Sequence, residues 1–264
     1  MTDGGTRGVA LVTGAGRRIG RKVALELARA GFDIAVHYGA SRAEAEAVAA
    51  DCRSLGRRST TVACDLADGG AVSGLVGEAE GALGAVTCLV NSASIFLDDR
   101  IESLDPAVWD RQHAVNLKAP VLLAKAMAER LPQGAAGVIV NIVDQRVWRL
   151  TPQFFSYTAT KAGLWAVTRT LAQALAPRIR VNAIGPGPVL ASIHQSSEEF
   201  AREAGATLLG RATPPDEIAA GVRFILDAPS MTGQMIALDS GQHLAWETPD
   251  VVGNKARDYT GDGT

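Results

Sequence analysis

Short apolar runs rich in β-branched residues alternate along the chain with longer alanine- and leucine-rich stretches at helical spacing. This alternation is typical of a parallel sheet covered by helices on both faces. Seven strands are predicted, at Val9–Val12, Asp33–His37, Thr60–Ala63, Val86–Val90, Val138–Val143, Ile179–Ile184 and Gln234–Leu238. Helices are predicted at Ile19–Ala30, Ser41–Leu55, Ala71–Leu83, Ala107–Leu131, Phe155–Ala176 and Asp216–Leu226, and around Ser197–Ala204. The pattern predicts a doubly wound α/β fold.

The alternation is not interrupted by a proline- or serine-rich linker. A chain of 264 residues with this pattern is compatible with one domain, which we place at residues 1–247. Residues 248–264 have low apolar content and no periodicity, and are predicted to form a polar C-terminal tail.

Composition excludes several classes of function. The chain has 26 basic and 28 acidic residues, so no net charge attracts nucleic acid or an anionic membrane. We find no secretory signal and no run of about 18 apolar residues, which predicts a cytoplasmic protein. Three cysteines without CxxC spacing and four histidines without HxxxH spacing predict buried thiols and no metal site.

A glycine-rich turn follows the first predicted strand and leads directly into a helix. Gly14, Gly16 and Gly20 are its glycines. Small residues there let the backbone approach a dinucleotide pyrophosphate, and free N–H groups at the helix start favour its negative charge. The turn predicts a dinucleotide site.

The end of the second predicted strand bears on the choice of dinucleotide. A free ribose 2′-hydroxyl usually meets an Asp or Glu there, whereas a 2′-phosphate needs cations and hydroxyls. The acid is missing, and the candidate phosphate ligands are Arg17, Arg18, His37, Ser41 and Arg42. NADPH is favoured over NADH, although Arg42 also fits a merely solvated surface residue.

Tyr157 and Lys161 lie four residues apart in a predicted helix, so both side chains share one face. An ammonium near a phenol lowers the phenol pKa from ~10 toward neutrality. The pair is expected to donate a proton to a group that gains hydride.

The segments TGxxxRIG, Asn91-Ser92-Ala93-Ser94, Asn116, YxxxK and Gly185-Pro186-Gly187 occur in an order that resembles the short-chain dehydrogenase/reductase family. The resemblance covers residues from about 8 to 244 and implies a Rossmann-type sheet of order 3-2-1-4-5-6-7, hydride transfer from a nicotinamide, and a homotetramer. It implies that Asn116 holds a water that feeds protons toward Lys161. The implied cofactor-binding residues are Gly14, Arg17, Arg18, Ile19, Gly20, His37, Tyr38, Ser41, Asp65, Leu66, Asn91, Ala93, Ser94, Tyr157, Lys161, Pro186 and Gly187.

Three departures from most of the family involve four residues. Asp144 stands thirteen residues before Tyr157, where most members have serine; Arg18 replaces a glycine; and Ser94 and Phe96 lie where many relatives carry glycine. Together they resemble the pteridine reductase branch, including the bacterial dihydromonapterin reductases. That resemblance implies that Arg18 reaches the cofactor phosphate and the pterin, that Phe96 stacks on the pterin, and that Asp144 lies beside Tyr157.

The sequence therefore predicts an NADPH-dependent reductase of a pterin-like small molecule, a dihydropterin such as dihydromonapterin or dihydrobiopterin. The predicted catalytic residues are Tyr157, Lys161, Asp144 and Asn116, and the predicted substrate-binding residues are Arg18, Ser94, Phe96, Asp144 and Tyr157. Phe96 as core packing and Asp144 as a loop-ordering carboxylate are the plainer interpretations. A carbonyl or 3-oxoacyl reductase is the alternative, and a non-catalytic NADPH-binding module a weaker one. Residues 189–209, which lack periodicity, are predicted to form a mobile lid.

Overall fold

The computed structural model describes residues 5–192 and 195–246. Its centre is one parallel sheet of seven strands in the order β3-β2-β1-β4-β5-β6-β7. The strands are β1 Val9–Val12, β2 Asp33–Tyr38, β3 Ser59–Ala63, β4 Val86–Asn91, β5 Gly137–Ile142, β6 Ile179–Pro186 and β7 Met235–Leu238. The predicted fold and strand order are confirmed.

Helices cover both faces of this sheet. They are α1 Arg18–Arg29, α2 Arg42–Ser54, α3 Gly69–Leu83, α4 Pro106–His113, α5 Ala119–Arg130, α6 Phe155–Leu175, α7 Ser197–Gly205 and α8 Pro215–Asp227. Successive side chains of a strand point to opposite faces, and the core divides accordingly. Ala10 and Val12 pack on the side of α1, α2 and α8. Val9 and Leu11 pack with α3 and α5 on the other side.

The helix predicted at Ala107–Leu131 is wrong as a single helix. Between α4 and α5 the chain forms a π-helix at Ala114–Lys118. Pro120 in the first turn of α5 has no N–H to donate to the carbonyl of Asn116, four residues earlier, so regular α-helical bonding cannot continue there. The wider turn places Asn116 beside the end of β4.

Strands β1, β4, β5 and β6 are neighbours, so the segments that follow them meet at one edge of the sheet. Asn91 and Asn141 are aligned on β4 and β5, and Asn91 Nδ2 donates to Asn141 Oδ1 at 2.8 Å. Asn141 Nδ2 donates in turn to Thr168 Oγ1 at 2.9 Å. This buried chain of polar groups ties α6 to the centre of the sheet.

Cys52, Cys64 and Cys88 are buried free thiols, as predicted. Within residues 5–192 and 195–246, no three His, Cys, Asp or Glu side chains come together as a metal site. No helix in this part of the chain is long and apolar enough to cross a membrane. The predicted tail at 248–264 lies outside the described residues.

Candidate active site

Tyr157, Lys161 and Asp144 lie together at the carboxyl edge of the sheet. The Tyr157 hydroxyl donates to Asp144 Oδ2 at 2.9 Å. The Lys161 ammonium donates to the carbonyl of Ile142 at 2.8 Å and lies 5.5 Å from the centre of the Tyr157 ring. Asp144 Oδ1 is fixed by the backbone N–H of Arg146 at 2.8 Å. The structure thus brings three of the four predicted catalytic residues into direct or near contact.

Burial has the largest effect on the pKa values of Asp144, Tyr157 and Lys161. It raises the pKa of Asp144, while the hydrogen bond from the Arg146 N–H and the charge of the Arg146 side chain lower that pKa by less. It also holds the pKa of Tyr157 well above its usual value, and the charge of Asp144 raises that pKa further. Burial lowers the pKa of Lys161 to about 8. The expectation of a phenol pKa near neutrality is therefore wrong in this arrangement, because burial and the hydrogen bond to Asp144 raise that pKa.

Phe96 belongs to an aromatic group beside Tyr157. Its ring is parallel to that of Phe154, with ring centres 4.2 Å apart, and meets the Tyr157 ring edge-on at 4.7 Å. The Arg146 guanidinium lies over the Phe154 ring, 5.1 Å from its centre. Sequence reasoning missed Phe154 and Arg146, although the aromatic run Phe154-Phe155 shortly before Tyr157 was a visible signal.

Asn116 holds the loop that carries Ser94 and Phe96. Its Oδ1 accepts the N–H of Ile95 at 2.8 Å and the Ser94 hydroxyl at 3.2 Å. Its Nδ2 donates to the carbonyl of Ile95 at 2.8 Å and to Thr160 Oγ1 at 3.3 Å. The side chain therefore links this loop to α6, and its predicted role in holding a water stays a prediction.

The glycine-rich turn leaves no room for side chains at its closest approaches. Gly14 has φ +63°, and a Cβ there would lie 2.9 Å from Ala93 Cα. A Cβ on Gly20 would lie 2.3 Å from the carbonyl oxygen of Gly14. The hydroxyl of Thr13 accepts the N–H groups of Ser92 and Ala93 at 3.0 and 3.1 Å, which sequence reasoning missed. The turn and the end of β4 thus form one surface.

His37 lies inside the protein, with 2% of its surface exposed. Its Nδ1 accepts the N–H of Gly14 at 3.1 Å, so Nε2 carries the proton and donates to the Cys64 carbonyl at 3.0 Å. Burial lowers its pKa, which keeps the ring neutral. His37 was predicted to face a phosphate as a cation; instead its Nδ1 binds the glycine-rich turn and its Nε2 binds the residue just after β3.

Three of the five predicted 2′-phosphate ligands, Arg17, Ser41 and Arg42, lie where the glycine-rich turn meets α2. A Cβ on Gly16 would lie 3.1 Å from Ser41 Oγ, so the turn packs directly on the start of α2. The Ser41 hydroxyl makes no capping bond, and Arg42 is exposed. Arg17 is also exposed and pairs with Glu44 at 2.9 Å. These groups can bind an anion at the start of α2.

Arg18 binds the segment after β6. Its guanidinium donates to the carbonyls of Ala191 and Leu190 at 2.8 and 2.9 Å. It was predicted to reach the cofactor phosphate and the substrate; in the structure it fastens the start of the predicted lid to the glycine-rich turn. The backbone of Arg18 has φ +52°, a left-handed conformation that costs a non-glycine residue about 1–2 kcal/mol.

The remaining predicted cofactor residues surround the same edge. Asp65 is exposed and accepts the N–H of Ala67, and Leu66 is buried. Ile19 and Tyr38 pack at the margin of the core, and Gly187 lies against Asp239 just after the buried Pro186. The buried Asn91 Oδ1 has no hydrogen-bond partner among the described residues. This orphaned acceptor and the helix start at Arg18, which no side chain caps, fit a bound dinucleotide.

The family follows from comparison with known proteins. The family model described as short chain dehydrogenase matches residues 8–202. The chain therefore belongs to the short-chain dehydrogenase family of oxidoreductases, as the sequence motifs predicted.

Individual relatives indicate which branch of the family this chain resembles. The crystal structure of FolM alternative dihydrofolate reductase 1 from Brucella canis, complexed with NADP, is 50% identical with a TM-score of 0.90, covering 93% of this chain and 98% of that chain. Its counterpart from Brucella suis, also with NADP, is 51% identical with a TM-score of 0.89, covering 92% of this chain and 98% of that chain. A 3-oxoacyl-[acyl-carrier-protein] reductase from Staphylococcus aureus is 32% identical over 240 residues, covering 89% of this chain and 98% of the relative. The Brucella structures support the predicted branch.

Proposed function

We propose that this protein is an NADPH-dependent reductase of a pterin ring, acting on a dihydropterin such as dihydromonapterin or dihydrobiopterin. The observation that carries the proposal is the Tyr157–Asp144 hydrogen bond at 2.9 Å with the Phe96 ring beside it. A carboxylate next to the proton donor repels the oxyanion of a reduced ketone. It suits a flat heterocycle with N–H donors and a ring nitrogen that needs a proton, and Phe96 offers such a ring a stacking partner.

The choice of NADPH rests on the groups around α2. The residues directly after β2, from Gly39 to Arg42, include no carboxylate, and Ser41 and Arg42 can contact a 2′-phosphate. The neutral His37 and the helix start at Arg18 support the pyrophosphate turn. Two relatives about half identical to this chain were crystallised with NADP, which supports the same assignment.

A bound NADPH would supply hydride to a ring carbon of the substrate, and residues of this chain would supply the proton. The raised pKa of Tyr157 keeps the proton on its hydroxyl oxygen until the ring nitrogen next to that carbon accepts it. Asp144, whose pKa is also raised, serves as a second acid or accepts hydrogen bonds from the ring. The Lys161 ammonium stabilises the phenolate that Tyr157 becomes, and Asn116 holds the loop that carries Phe96.

The test is NADPH oxidation with a small panel of dihydropterins and ketones. Asp144→Ser should lower kcat/KM for the dihydropterin on the order of 10²-fold, the typical effect of losing a positioned acid. The dissociation constant of NADPH should stay within about twofold, because Asp144 contacts Tyr157 and the Arg146 backbone. Equal losses in both quantities would make Asp144 a structural residue, and turnover of ketones alone would refute the function.

A 3-oxoacyl or other carbonyl reductase is the second candidate. The curated Staphylococcus reductase, at 32% identity over nearly its full length, favours it. Asp144 argues against it for the reason given above. A non-catalytic NADPH-binding module is a weaker candidate, since it leaves the Tyr157–Asp144–Lys161 group without a purpose; binding without turnover, unaffected by Tyr157→Phe, would support it.

We also propose a cytoplasmic homotetramer built from one domain per chain, ending in the polar segment 248–264. These assignments rest on the family and on the sequence pattern.

A further inference from the structure

Asp99 is a buried carboxylate, 6% exposed, that the proposed chemistry does not use. Its Oδ1 accepts the N–H of Ser156 at 3.0 Å, and its Oδ2 accepts the Ser156 hydroxyl. The carbonyl of Asp99 accepts the N–H of Phe155 at 3.1 Å. Phe155 and Ser156 are the first two residues of α6, and Tyr157 is the third. One residue of the β4–α4 connection therefore binds the turn of helix that carries the proton donor.

These bonds replace the usual cap of α6. The residue before the helix, Phe154, makes no side-chain capping bond and has a left-handed backbone with φ +53°. The first N–H groups of a helix have no partner within it, and an acidic group is favourable at that end. Asp99, which lies 57 residues before Ser156 in the chain, supplies both the hydrogen-bond acceptors and the acidic group at the start of α6.

The loop that ends at Asp99 is also held at its other end. Asn116 binds both the N–H and the carbonyl of Ile95. Between Ile95 and Asp99 lies Phe96, whose ring contacts Phe154 and Tyr157. Because both ends of this short segment are fixed, the Asp99 bonds set where the Phe96 ring lies relative to the Tyr157 hydroxyl.

We propose that Asp99 is a positioning residue that determines specificity for a planar ring: it holds Phe96 at the distance from Tyr157 at which a ring stacked on Phe96 meets the proton donor. Asp99 touches no reacting atom and acts through Phe96 and the start of α6. The inference rests on the proposed function, because it assumes a flat substrate that stacks on Phe96.

The experiment is a double-mutant cycle of Asp99→Ala and Phe96→Ala, with the exposed neighbour Asp98→Asn as control. For each variant, kcat and KM for 7,8-dihydrobiopterin, the dissociation constant of NADPH and Tm are measured. Ser156→Ala, which removes only the bond to Asp99 Oδ2, is the milder variant in case Asp99→Ala folds poorly.

Asp99→Ala should raise the KM about tenfold, which corresponds to one aromatic contact, with NADPH binding within about twofold. Ser156→Ala should raise it less, and Asp98→Asn should leave it unchanged. In the Phe96→Ala background, Asp99→Ala should add little, since the contact it protects is already gone. Additive effects, or a lower Tm with unchanged KM, would overturn the inference.

Wild-type turnover separates this inference from the proposed function. If the wild type reduces ketones and not dihydropterins, the proposed function fails. The same cycle measured on the KM of the ketone then decides whether Asp99 acts through Phe96: non-additive effects support positioning, and additive effects refute it.

Discussion

Tyr157 and Asp144 form an acid pair in which the phenol keeps its proton. Both pKa values are raised by burial, and the negative charge of Asp144 adds to the effect on Tyr157. A reductase must donate a proton, so a phenol that stays protonated is in the state the reaction consumes. The titration that limits activity within the usual pH range is then that of Lys161, whose pKa lies at about 8.

We expect kcat/KM to fall as the pH rises through about 8. Below this pH Lys161 is an ammonium that can stabilise phenolate; above it the charge is lost. The carboxylate of Asp144 raises the pKa of Lys161, so Asp144→Asn should move this alkaline limb to lower pH. The measurement is the pH profile of kcat/KM in both proteins. A wild-type limb above pH 10 would assign the titration to Tyr157 instead, whose pKa lies well above its usual value.

For single residues, the sequence predicted which side chains form the site better than it predicted the surroundings of each side chain. The spacing of Tyr157 and Lys161 predicted that they share one helix face, and the resemblance to the pteridine reductase branch predicted that Asp144 lies beside Tyr157. The role of His37 could not be predicted, because a histidine at the end of a strand suits a cationic ligand and a buried neutral one equally well. Only the bonds to Gly14 and Cys64 distinguish them.

Among the elements of the site, the segment after β6 is bound by the Arg18 side chain and by a backbone bond near its start. Arg18 crosses from the glycine-rich turn to the carbonyls of Leu190 and Ala191. The carbonyl of Pro188 accepts the N–H of Thr213 at 2.8 Å, which anchors the segment before that point. The position of residues 190–191 therefore depends on the two hydrogen bonds from the Arg18 guanidinium.

Arg18→Lys and Arg18→Ala separate this hold from a simple charge effect. An ammonium is a point charge and cannot reproduce two parallel bonds, so both variants should speed amide hydrogen exchange in residues 189–192. Both should raise the substrate KM about tenfold, the value of two exposed hydrogen bonds. Hydrogen–deuterium exchange with mass spectrometry and steady-state kinetics are the measurements. If Arg18→Lys behaves like the wild type, the charge alone matters and Arg18 acts as a phosphate ligand.

The elements themselves were largely readable from the sequence. Apolar runs located all seven strands to within one or two residues, because the five inner strands are buried between two layers of helices and the edge strands β3 and β7 are still partly buried. The π-helix at Ala114–Lys118 was missed because the apolar spacing continues through it and only Pro120 signals the change. The Phe96–Phe154 contact was missed because it joins two irregular segments, which have no periodicity to align them.

At the scale of the whole molecule, the two edges of the sheet differ. Near β3, the connection around Leu55 is flanked by Arg53 and Arg58. Near β7, Phe224 on α8 is 60% exposed beside Pro229 and Met231. An open edge strand with an apolar neighbour favours association, whereas charged residues oppose it.

The expected homotetramer should therefore depend on the β7 edge. Phe224→Asp places a charge in the apolar surface beside β7 and should convert the tetramer to a smaller species. Leu55→Asp, which places the same charge at an exposed position near β3, is the matched control and should leave the mass of the assembly unchanged. Sedimentation velocity of the two variants and the wild type measures this. A monomeric wild type would refute the tetramer, and loss of assembly only in Leu55→Asp would place the interface at the β3 edge.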